Sequence, residues 1–271
     1  MKATNRKPVK FDKPPVIEVV CCMTFALSSP LKAAHIGTFW DSIRSEFPNT
    51  EDAAPLAAIQ EVQSDASVDV QLQFLQLPPL RRTWFLSEDG RHLVQLQDDR
   101  FIYNWKRIDA NDPYPSYDEV VAGFKAQWDR FSDFVRAQQL GDLTVNQLEL
   151  TYVNHIPVAS LGDVQTYNVF TDHQLAGSPD RFLPAPKAFK WATSYDLPNG
   201  EGRLHTLSQL AKITATAESV VRMDLTARGM PSNASQDGCI AWFDMAHEWI
   251  THGFADLTLP ALQNNVWRRT Q

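Results

Sequence analysis

The sequence feature that most constrains the fold is a stretch of three short apolar runs separated by two polar turns. It spans Arg81 to Arg107 and reads RRTWFLSEDGRHLVQLQDDRFIYNWKR. The turns are Glu88-Asp89-Gly90 and Asp98-Asp99. An Asp-Gly pair between alternating apolar runs is a strong hairpin signal, because glycine adopts the positive φ of a tight turn without a steric penalty. The stretch therefore predicts an antiparallel meander with one apolar face that helices must cover.

The segments on either side supply further strands and the covering helices. Val16 to Leu27 and Leu143 to Val158 are long runs rich in β-forming residues. Apolar residues recur at helical spacing after Pro30 and again after Ser116, where Glu119 completes a capping box. We also predict strands at 57–62, 68–77, 189–197, 203–213 and 219–227, a loop at 49–55, a short helix near 161–170 and a final helix at about 235–255.

The order of these elements predicts an α+β fold made of two units of similar topology. In each unit, a mostly antiparallel sheet with a β-α-β-β-β-α order is covered on one face by helices. We place the N-terminal unit at 16–142 and the C-terminal unit at 143–271. Residues 1–15 are basic and end in two prolines, which predicts a disordered tail. No repeat of individual residues is visible, so the two-unit prediction rests on element order.

Composition argues against several classes of protein. The chain of 271 residues has a formal net charge of −7, which disfavours a nucleic-acid-binding surface, since phosphate contacts require clustered Lys and Arg. Its three cysteines lack the spacing of a disulfide framework or a structural zinc site. The first thirteen residues have no apolar leader, and no run approaches the roughly 20 apolar residues of a membrane span. We therefore expect a cytoplasmic protein with no membrane contact, no metal and no cofactor.

Histidines and carboxylates offer candidates for a catalytic site. In the last helix, His252 follows His247 by five residues and not by the four of the zinc-protease motif, so we reject a metalloprotease. His247 lies on the apolar stripe, where we expect a helix-face histidine with one hydrogen bond. Glu149 and His155 share a strand face but are six residues apart, too far for direct contact. A hydrolase-type site between the two units would have to bring together Glu149, His155, Asp224, His247 and Glu248.

The meander also carries basic and aromatic residues that could form a binding face. Arginine and lysine pairs flank its two ends, and tryptophan and tyrosine residues lie between them. A sheet face of this composition can stack single-stranded bases, although strand alternation turns several of the rings inward. The candidate binding residues are Arg81, Arg82, Trp84, Tyr103, Trp105, Lys106 and Arg107.

Several segments resemble one known family. They are Pro14-Pro15-Val16-Ile17-Glu18-Val19, Arg82-Thr83-Trp84-Phe85-Leu86-Ser87, Gln97-Asp98-Asp99-Arg100-Phe101 and Ala246-His247-Glu248-Trp249. They make the chain similar to sporadically distributed, uncharacterised bacterial proteins of about this length that open with a Pro-Pro-Val-x-Glu-Val segment. The resemblance implies no activity and no catalytic residues. A sporadic distribution is typical of accessory genes, including phage-defence and toxin–antitoxin genes.

The sequence favours a non-enzymatic cytoplasmic protein of such an accessory system, which binds a partner protein through a sheet face or groove. The chain has no P-loop, dinucleotide-binding glycine motif or nucleophile elbow. Two alternatives remain open: a nucleic-acid-binding protein that uses the 81–107 sheet face, and a hydrolase-type enzyme. Unpaired edge strands and a ring-rich surface would also permit a symmetric homodimer.

Overall fold

A computed structural model describes residues 7–57, 59–61, 80–109, 112–158, 169–170 and 187–271. The strands are β1 (Val16–Leu27), β2 (Asn49–Ala53), β3 (Arg82–Leu86), β4 (His92–Leu96), β5 (Arg100–Lys106), β6 (Leu143–Pro157), β7 (Lys190–Asp196), β8 (Gly202–Lys212) and β9 (Ser219–Gly229). The helices are α1 (Ala33–Ile43), α2 (Tyr117–Ala137), α3 (Gln236–Leu257) and α4 (Pro260–Asn265). Within these ranges the nine strands form one antiparallel sheet in the order β2-β3-β4-β5-β1-β6-β9-β8-β7. The predicted α+β class and antiparallel sheet are confirmed.

The predicted meander forms strands β3, β4 and β5. Leu86 lies opposite Leu93 at the first hairpin, and Gly90 in its turn has a φ of 69°, in the left-handed region that glycine tolerates. The second turn is closed by a hydrogen bond from the backbone N–H of Gln97 to the carbonyl of Arg100, 3.0 Å long. Local turn chemistry therefore fixes this part of the sheet.

The centre of the sheet joins the two predicted units. β1 pairs with β5 on one side and with β6 on the other, from Val16 opposite Asn154 to Leu27 opposite Leu143. One continuous sheet thus replaces the separate sheet that we predicted for each unit. The physical reason is that two long apolar strands, each with one unpaired edge, satisfy their backbone hydrogen bonds by pairing with each other.

The alternation of side chains gives the sheet two different faces. On one face, apolar residues of β1 such as Cys21, Met23 and Phe25 pack beneath α1, α2 and α3 in a core of aromatic rings that includes Phe39 and Phe131. We call the opposite side the polar face. It carries Gln95, Asn104, Gln147, Glu149, His205, Asp224 and Arg228.

Four segments differ from the sequence predictions or lie, wholly or in part, outside the described residues. β2 forms at the edge of the sheet where a loop was predicted at 49–55, because its polar residues pair with β3. Within the 57–62 prediction, the described residues 57 and 59–61 form no strand. The strand predicted at 68–77 and residues 161–168 of the predicted short helix lie outside the described residues. No helix within the described ranges is both long and apolar enough to cross a membrane.

The N-terminal segment packs against the C-terminal end of the chain. The backbone N–H of Lys13 donates to the carbonyl of Trp267 over 3.1 Å. The ring of Phe11 lies edge-on to those of Phe254 and Trp267, with centroids 5.6 and 6.1 Å apart. The described part of this segment, residues 7–15, therefore differs from the disordered tail predicted from its charge. Its few apolar residues find partners at the far end of the chain, which local composition does not indicate.

Candidate functional site

A cavity of about 560 Å³ lies between the N-terminal segment, the start of α2, strands β6 and β9, and helix α3. Its apolar wall includes Val9, Val16, Leu225, Ile250 and Phe254. Its polar wall includes Tyr114, Tyr117, Tyr152, Asn154 and His247. The cavity is therefore on the helix-covered side of the sheet, with aromatic hydroxyls and an imidazole gathered on one wall.

Three of these polar groups form a chain of hydrogen bonds. The hydroxyls of Tyr114 and Tyr152 are 3.0 Å apart, and the Tyr152 hydroxyl lies 2.9 Å from Nδ1 of His247. When Tyr152 donates to Nδ1, Tyr114 donates to Tyr152, and the proton of the neutral imidazole lies on Nε2. Among the described residues, Nε2 has no hydrogen-bond partner. In this tautomer Nε2 is a donor that the described residues leave unused.

The imidazole is fixed from a second direction by Tyr117. The two rings are stacked with their centroids 4.0 Å apart and their planes inclined by 3°. The hydroxyl of Tyr117 in turn donates to Oδ1 of Asp244 over 2.9 Å. Tyr117 is the first residue of α2, which starts there because the side chain of Ser116 accepts a hydrogen bond from the backbone N–H of Glu119. The capped helix start thus positions one side of the site.

Burial sets the protonation of the polar wall. It lowers the pKa of His247 to about 4, against the opposing effect of Asp118, while His252 lowers it further. Burial also raises the pKa of Tyr114, Tyr117 and Tyr152 well above the ordinary tyrosine value. At neutral pH the imidazole and the three phenols are therefore uncharged, and the wall presents hydrogen-bonding groups without net charge.

The structure separates the five candidate catalytic residues. Glu149, His155 and Asp224 lie on the polar face, whereas His247 and Glu248 lie on α3, which covers the opposite face. The sheet itself stands between the two groups, so the convergence required for the hydrolase-type site does not occur.

The three candidates on the polar face have partners or surroundings of their own. Glu149 is 3.1 Å from Arg228, and Asp224 is 2.9 Å from Arg222. Burial lowers the pKa of His155, and the nearby Arg222 lowers it further. Of the five candidates, His247 is the one that lines the cavity. Among the described residues its side chain has one hydrogen bond, to Tyr152, as predicted for a helix-face histidine.

The candidate binding residues of the meander are divided between the two faces. Arg82 and Lys106 lie over the ring of Trp84, with the guanidinium carbon 5.4 Å and the ammonium nitrogen 5.1 Å from its centroid. Tyr103 and Trp105 lie on the opposite face, 6% and 2% exposed, beneath the helices. The rings therefore do not form one stacking surface, and the ring of Trp84 already has two cations of this chain over it.

The two outer arginines of the same set contact other segments. Nη1 of Arg81 is 3.0 Å from Oδ2 of Asp52 on the edge strand β2. Nη2 of Arg107 donates to the carbonyl of Pro14 over 3.4 Å. Their positions tie the meander to the neighbouring strand and to the N-terminal segment.

A second polar cluster, which sequence reasoning missed, lies on the polar face. The carboxylate of Glu61 is 2.7 Å from Nε2 of His205, 3.7 Å from Arg203 and 3.9 Å from Arg228. The four residues come from a connecting segment and from strands β8 and β9. Spacing in the sequence could not predict these contacts, because they depend on where the segment after β2 crosses the sheet.

Metal and thiol chemistry have little structural support in the described residues. Across those ranges, no group of three or more His, Cys, Asp and Glu residues is placed to hold a metal ion. All three cysteines lie in described ranges and are free and buried. Burial raises the pKa of the Cys21 and Cys22 thiols, so the reactive thiolate is disfavoured.

Comparisons with protein-family models, curated proteins and solved structures find no match to this chain. Membership of the sporadically distributed bacterial family therefore stays a prediction.

Proposed function

We propose that this protein binds a small uncharged molecule in the cavity between α2, α3, β6 and the N-terminal segment, and releases it unchanged. The observation that carries the proposal is the fixed chain Tyr114–Tyr152–His247 beside an apolar wall. A volume of about 560 Å³ falls within the range of roughly 300 to 1,000 Å³ that is common for small-molecule sites. An apolar surface with a few convergent polar groups is the usual composition of such a site.

The charges around the cavity favour a neutral ligand. The phenols and the imidazole of its polar wall are uncharged at neutral pH. Lys10 and Asp118 also line the cavity, and their opposite charges leave no excess of either sign. A charged ligand would lose its hydration in a cavity whose lining has no net charge of the opposite sign, and this loss is expensive in a partly buried site. A ligand with an apolar body and one or two hydroxyl or amide groups fits better.

The state of His247 favours binding over general base catalysis. A base is most effective when its pKa lies near the working pH, whereas burial lowers the pKa of His247 to about 4. Its Nδ1 is already bonded to Tyr152, and its ring is stacked on Tyr117. Such a group is suited to hold a ligand by a hydrogen bond of fixed direction. Because its ring is already fixed in place, ligand binding costs little side-chain entropy.

We also propose that the chain consists of two units of similar topology that share the sheet. The strand order supports this: outward from β1 come β5, β4 and β3, and outward from β6 come β9, β8 and β7. Helix α2 follows β5, and helix α3 follows β9. On this view Tyr114 and Tyr117 come from the first unit, and Tyr152 and His247 from the second. The cavity would then lie at the junction of the units, a common place for ligand sites.

Ligand-observed NMR with a panel of small fragments tests the proposal. The panel holds neutral phenols and amides together with carboxylates and amines of matched size. We expect neutral fragments to bind the unmodified chain and Glu248→Trp, whose site is exposed on α3. They should not bind Thr251→Trp, in which the new ring fills part of the cavity. Circular dichroism checks that both variants are folded.

Two results would overturn the proposal. One is fragment binding that survives Thr251→Trp in a folded protein, since the cavity would then not be the site. The other is recovery of a bound fragment in chemically altered form, detected by mass spectrometry, since the protein would then be an enzyme.

A further inference from the structure

The chain after β2 crosses the polar face of the sheet and is held there by side chains of the strands. We call the described residues from Leu56 to Glu61 the crossing segment. It starts beside Gln97, directly after β4, and ends beside His205 on β8. Its contacts with the sheet join the backbone of the segment to polar side chains below it. These contacts lie on the side of the sheet opposite the cavity, so they are independent of the proposed function.

The side chains of two glutamines form hydrogen bonds with the backbone of the crossing segment. Oε1 of Gln97 accepts from the N–H of Leu56 over 2.8 Å, and its Nε2 donates to the carbonyl of the same residue over 3.1 Å. Oε1 of Gln147 accepts from the N–H of Glu61 over 2.8 Å, and its Nε2 donates to the carbonyl of Ile59 over 2.8 Å. A side-chain amide that bonds both a backbone N–H and a backbone C=O recognises peptide backbone whatever its side chains.

A third contact and the burial of the glutamines complete this backbone site. Nη2 of Arg100 donates to the carbonyl of Ala57 over 3.2 Å. Gln97 and Gln147 are both buried, so their amide groups are fixed in place by the sheet. The polar face thus carries donors and acceptors set out along the path of a peptide chain.

The carboxylate of one residue of the segment, Glu61, is held by basic side chains of the sheet. The carboxylate of Glu61 lies among Arg203, His205 and Arg228, and its side chain is 9% exposed. Hydrogen bonds between ionised partners are about twice as strong as those between neutral groups. This pocket would therefore discriminate between a carboxylate and an uncharged side chain at the same position.

The apolar side chains of the segment add little to its attachment. Leu56 and Ile59 are 38% and 55% exposed, which places both among the exposed large apolar side chains of the described residues. The segment is therefore held mainly by polar contacts. Segments with few buried apolar contacts are the first to open in a folded protein.

We propose that the polar face is a binding site for an acidic peptide segment of a partner protein, and that the chain's own crossing segment occupies this site as an internal ligand. The partner segment offers its backbone to Gln97 and Gln147 and places a carboxylate where Glu61 now lies. Binding of the partner displaces the crossing segment.

Fluorescence anisotropy with a labelled peptide tests this proposal. The probe has the sequence of residues 54–61, APLAAIQE, with an N-terminal fluorescein and an amidated C-terminus, so that its glutamate is its one carboxylate outside the label. The receptor is the full chain with Glu61→Gln, in which the internal ligand is weakened. We expect the probe to bind this variant roughly tenfold more tightly than the unmodified chain. The control probe APLAAIQQ should bind the variant roughly tenfold more weakly, as the loss of one charge-assisted hydrogen bond predicts.

Equal affinity of the two probes for the variant, or equal affinity of APLAAIQE for the variant and the unmodified chain, would overturn the proposal. If Glu61→Gln does not fold, hydrogen exchange of the unmodified chain tests the proposal instead. Excess APLAAIQE should then speed exchange of the backbone N–H groups of Leu56 and Glu61, whereas APLAAIQQ should not. Unchanged exchange with both probes would equally overturn it.

Discussion

The imidazole of His247 and the phenol ring of Tyr117 lie parallel, with centroids 4.0 Å apart and planes inclined by 3°. His247 lies on α3 and Tyr117 on α2, so the stacked rings connect the two helices at the wall of the cavity. It covers one face of the imidazole while Tyr152 bonds its edge. This arrangement explains why burial dominates the lowered pKa of His247.

That pKa predicts how stability depends on pH. The pKa of His247 is about 4 in the folded chain and near the ordinary 6.5 when unfolded. Below pH 6.5 the unfolded chain therefore binds a proton that the folded chain excludes, and the free energy of unfolding falls until about pH 4. The fall due to this residue is roughly 3 kcal/mol. Urea unfolding between pH 7 and pH 4 should show a smaller fall for His247→Gln, and identical pH dependence in both proteins would contradict the prediction.

The middle hydroxyl of the hydrogen-bond chain can be removed without changing the ring. Tyr152→Phe leaves the hydroxyl of Tyr114 and Nδ1 of His247 without their present partner. We expect the free energy of unfolding to fall by roughly 1 to 3 kcal/mol. The NMR shifts of the two ring nitrogens of His247 should also change, because no hydrogen bond to Nδ1 then selects one tautomer. Tyr195→Phe, at an exposed tyrosine of β7, is the control and should change stability by less than about 0.5 kcal/mol. Equal effects of the two substitutions would argue against a stabilising role for the hydrogen bonds between Tyr114, Tyr152 and His247.

Two helical glycines predict opposite effects of the same substitution. A Cβ at Gly123 on α2 would meet the hydroxyl of Tyr103, which is held by Nδ1 of His92 over 2.8 Å. At Gly37 on α1, a Cβ would meet nothing within 4 Å. Alanine favours a helix over glycine by about 1 kcal/mol, so Gly37→Ala should raise the melting temperature and Gly123→Ala should lower it.

A double-variant cycle checks the cause at Gly123. The cost of Gly123→Ala should be smaller in a Tyr103→Phe background, because the atom nearest the new Cβ is then absent. An unchanged cost in that background would assign the effect to another contact.

The glutamine contacts of the polar face predict a local change in exchange. Gln147→Ala leaves the N–H of Glu61 and the carbonyl of Ile59 without their partner. We expect hydrogen exchange at Glu61 to become about tenfold faster, equivalent to a loss of about 1.4 kcal/mol of local stability. Gln209→Ala, on the same face in β8, is the control and should leave this exchange unchanged.

Local sequence signals predicted those parts of the fold that local chemistry determines. Gly90 marks a turn because positive φ is cheap for glycine, and Ser116 marks a helix start because its hydroxyl satisfies a free N–H. β2 gave no signal, since Asn49–Ala53 is a polar run whose extended form depends on pairing with β3. Patterns within a segment describe its own preference and not the strand that it will meet.

The candidate site shows the same limit. Helical periodicity placed His247 on the apolar stripe of its helix, and the structure places it there with one hydrogen bond. The periodicity of α3 could not name Tyr114 or Tyr117, because these residues reach the site from the start of α2. The five catalytic candidates failed to converge because the sheet separates the strand residues Glu149, His155 and Asp224 from the helix residues His247 and Glu248. Which face carries a strand residue follows from the register between strands far apart in sequence.

The pairing of β1 with β6 has a consequence for how the protein is made. β6 begins at Leu143, so the ribosome completes the whole N-terminal half before the second neighbour of β1 exists. During that interval one long apolar edge is open to any other nascent chain, and such edges recruit foreign strands. We expect fragments that stop before Leu143 to aggregate, and the full chain to fold more slowly than a protein of its size with mostly local contacts.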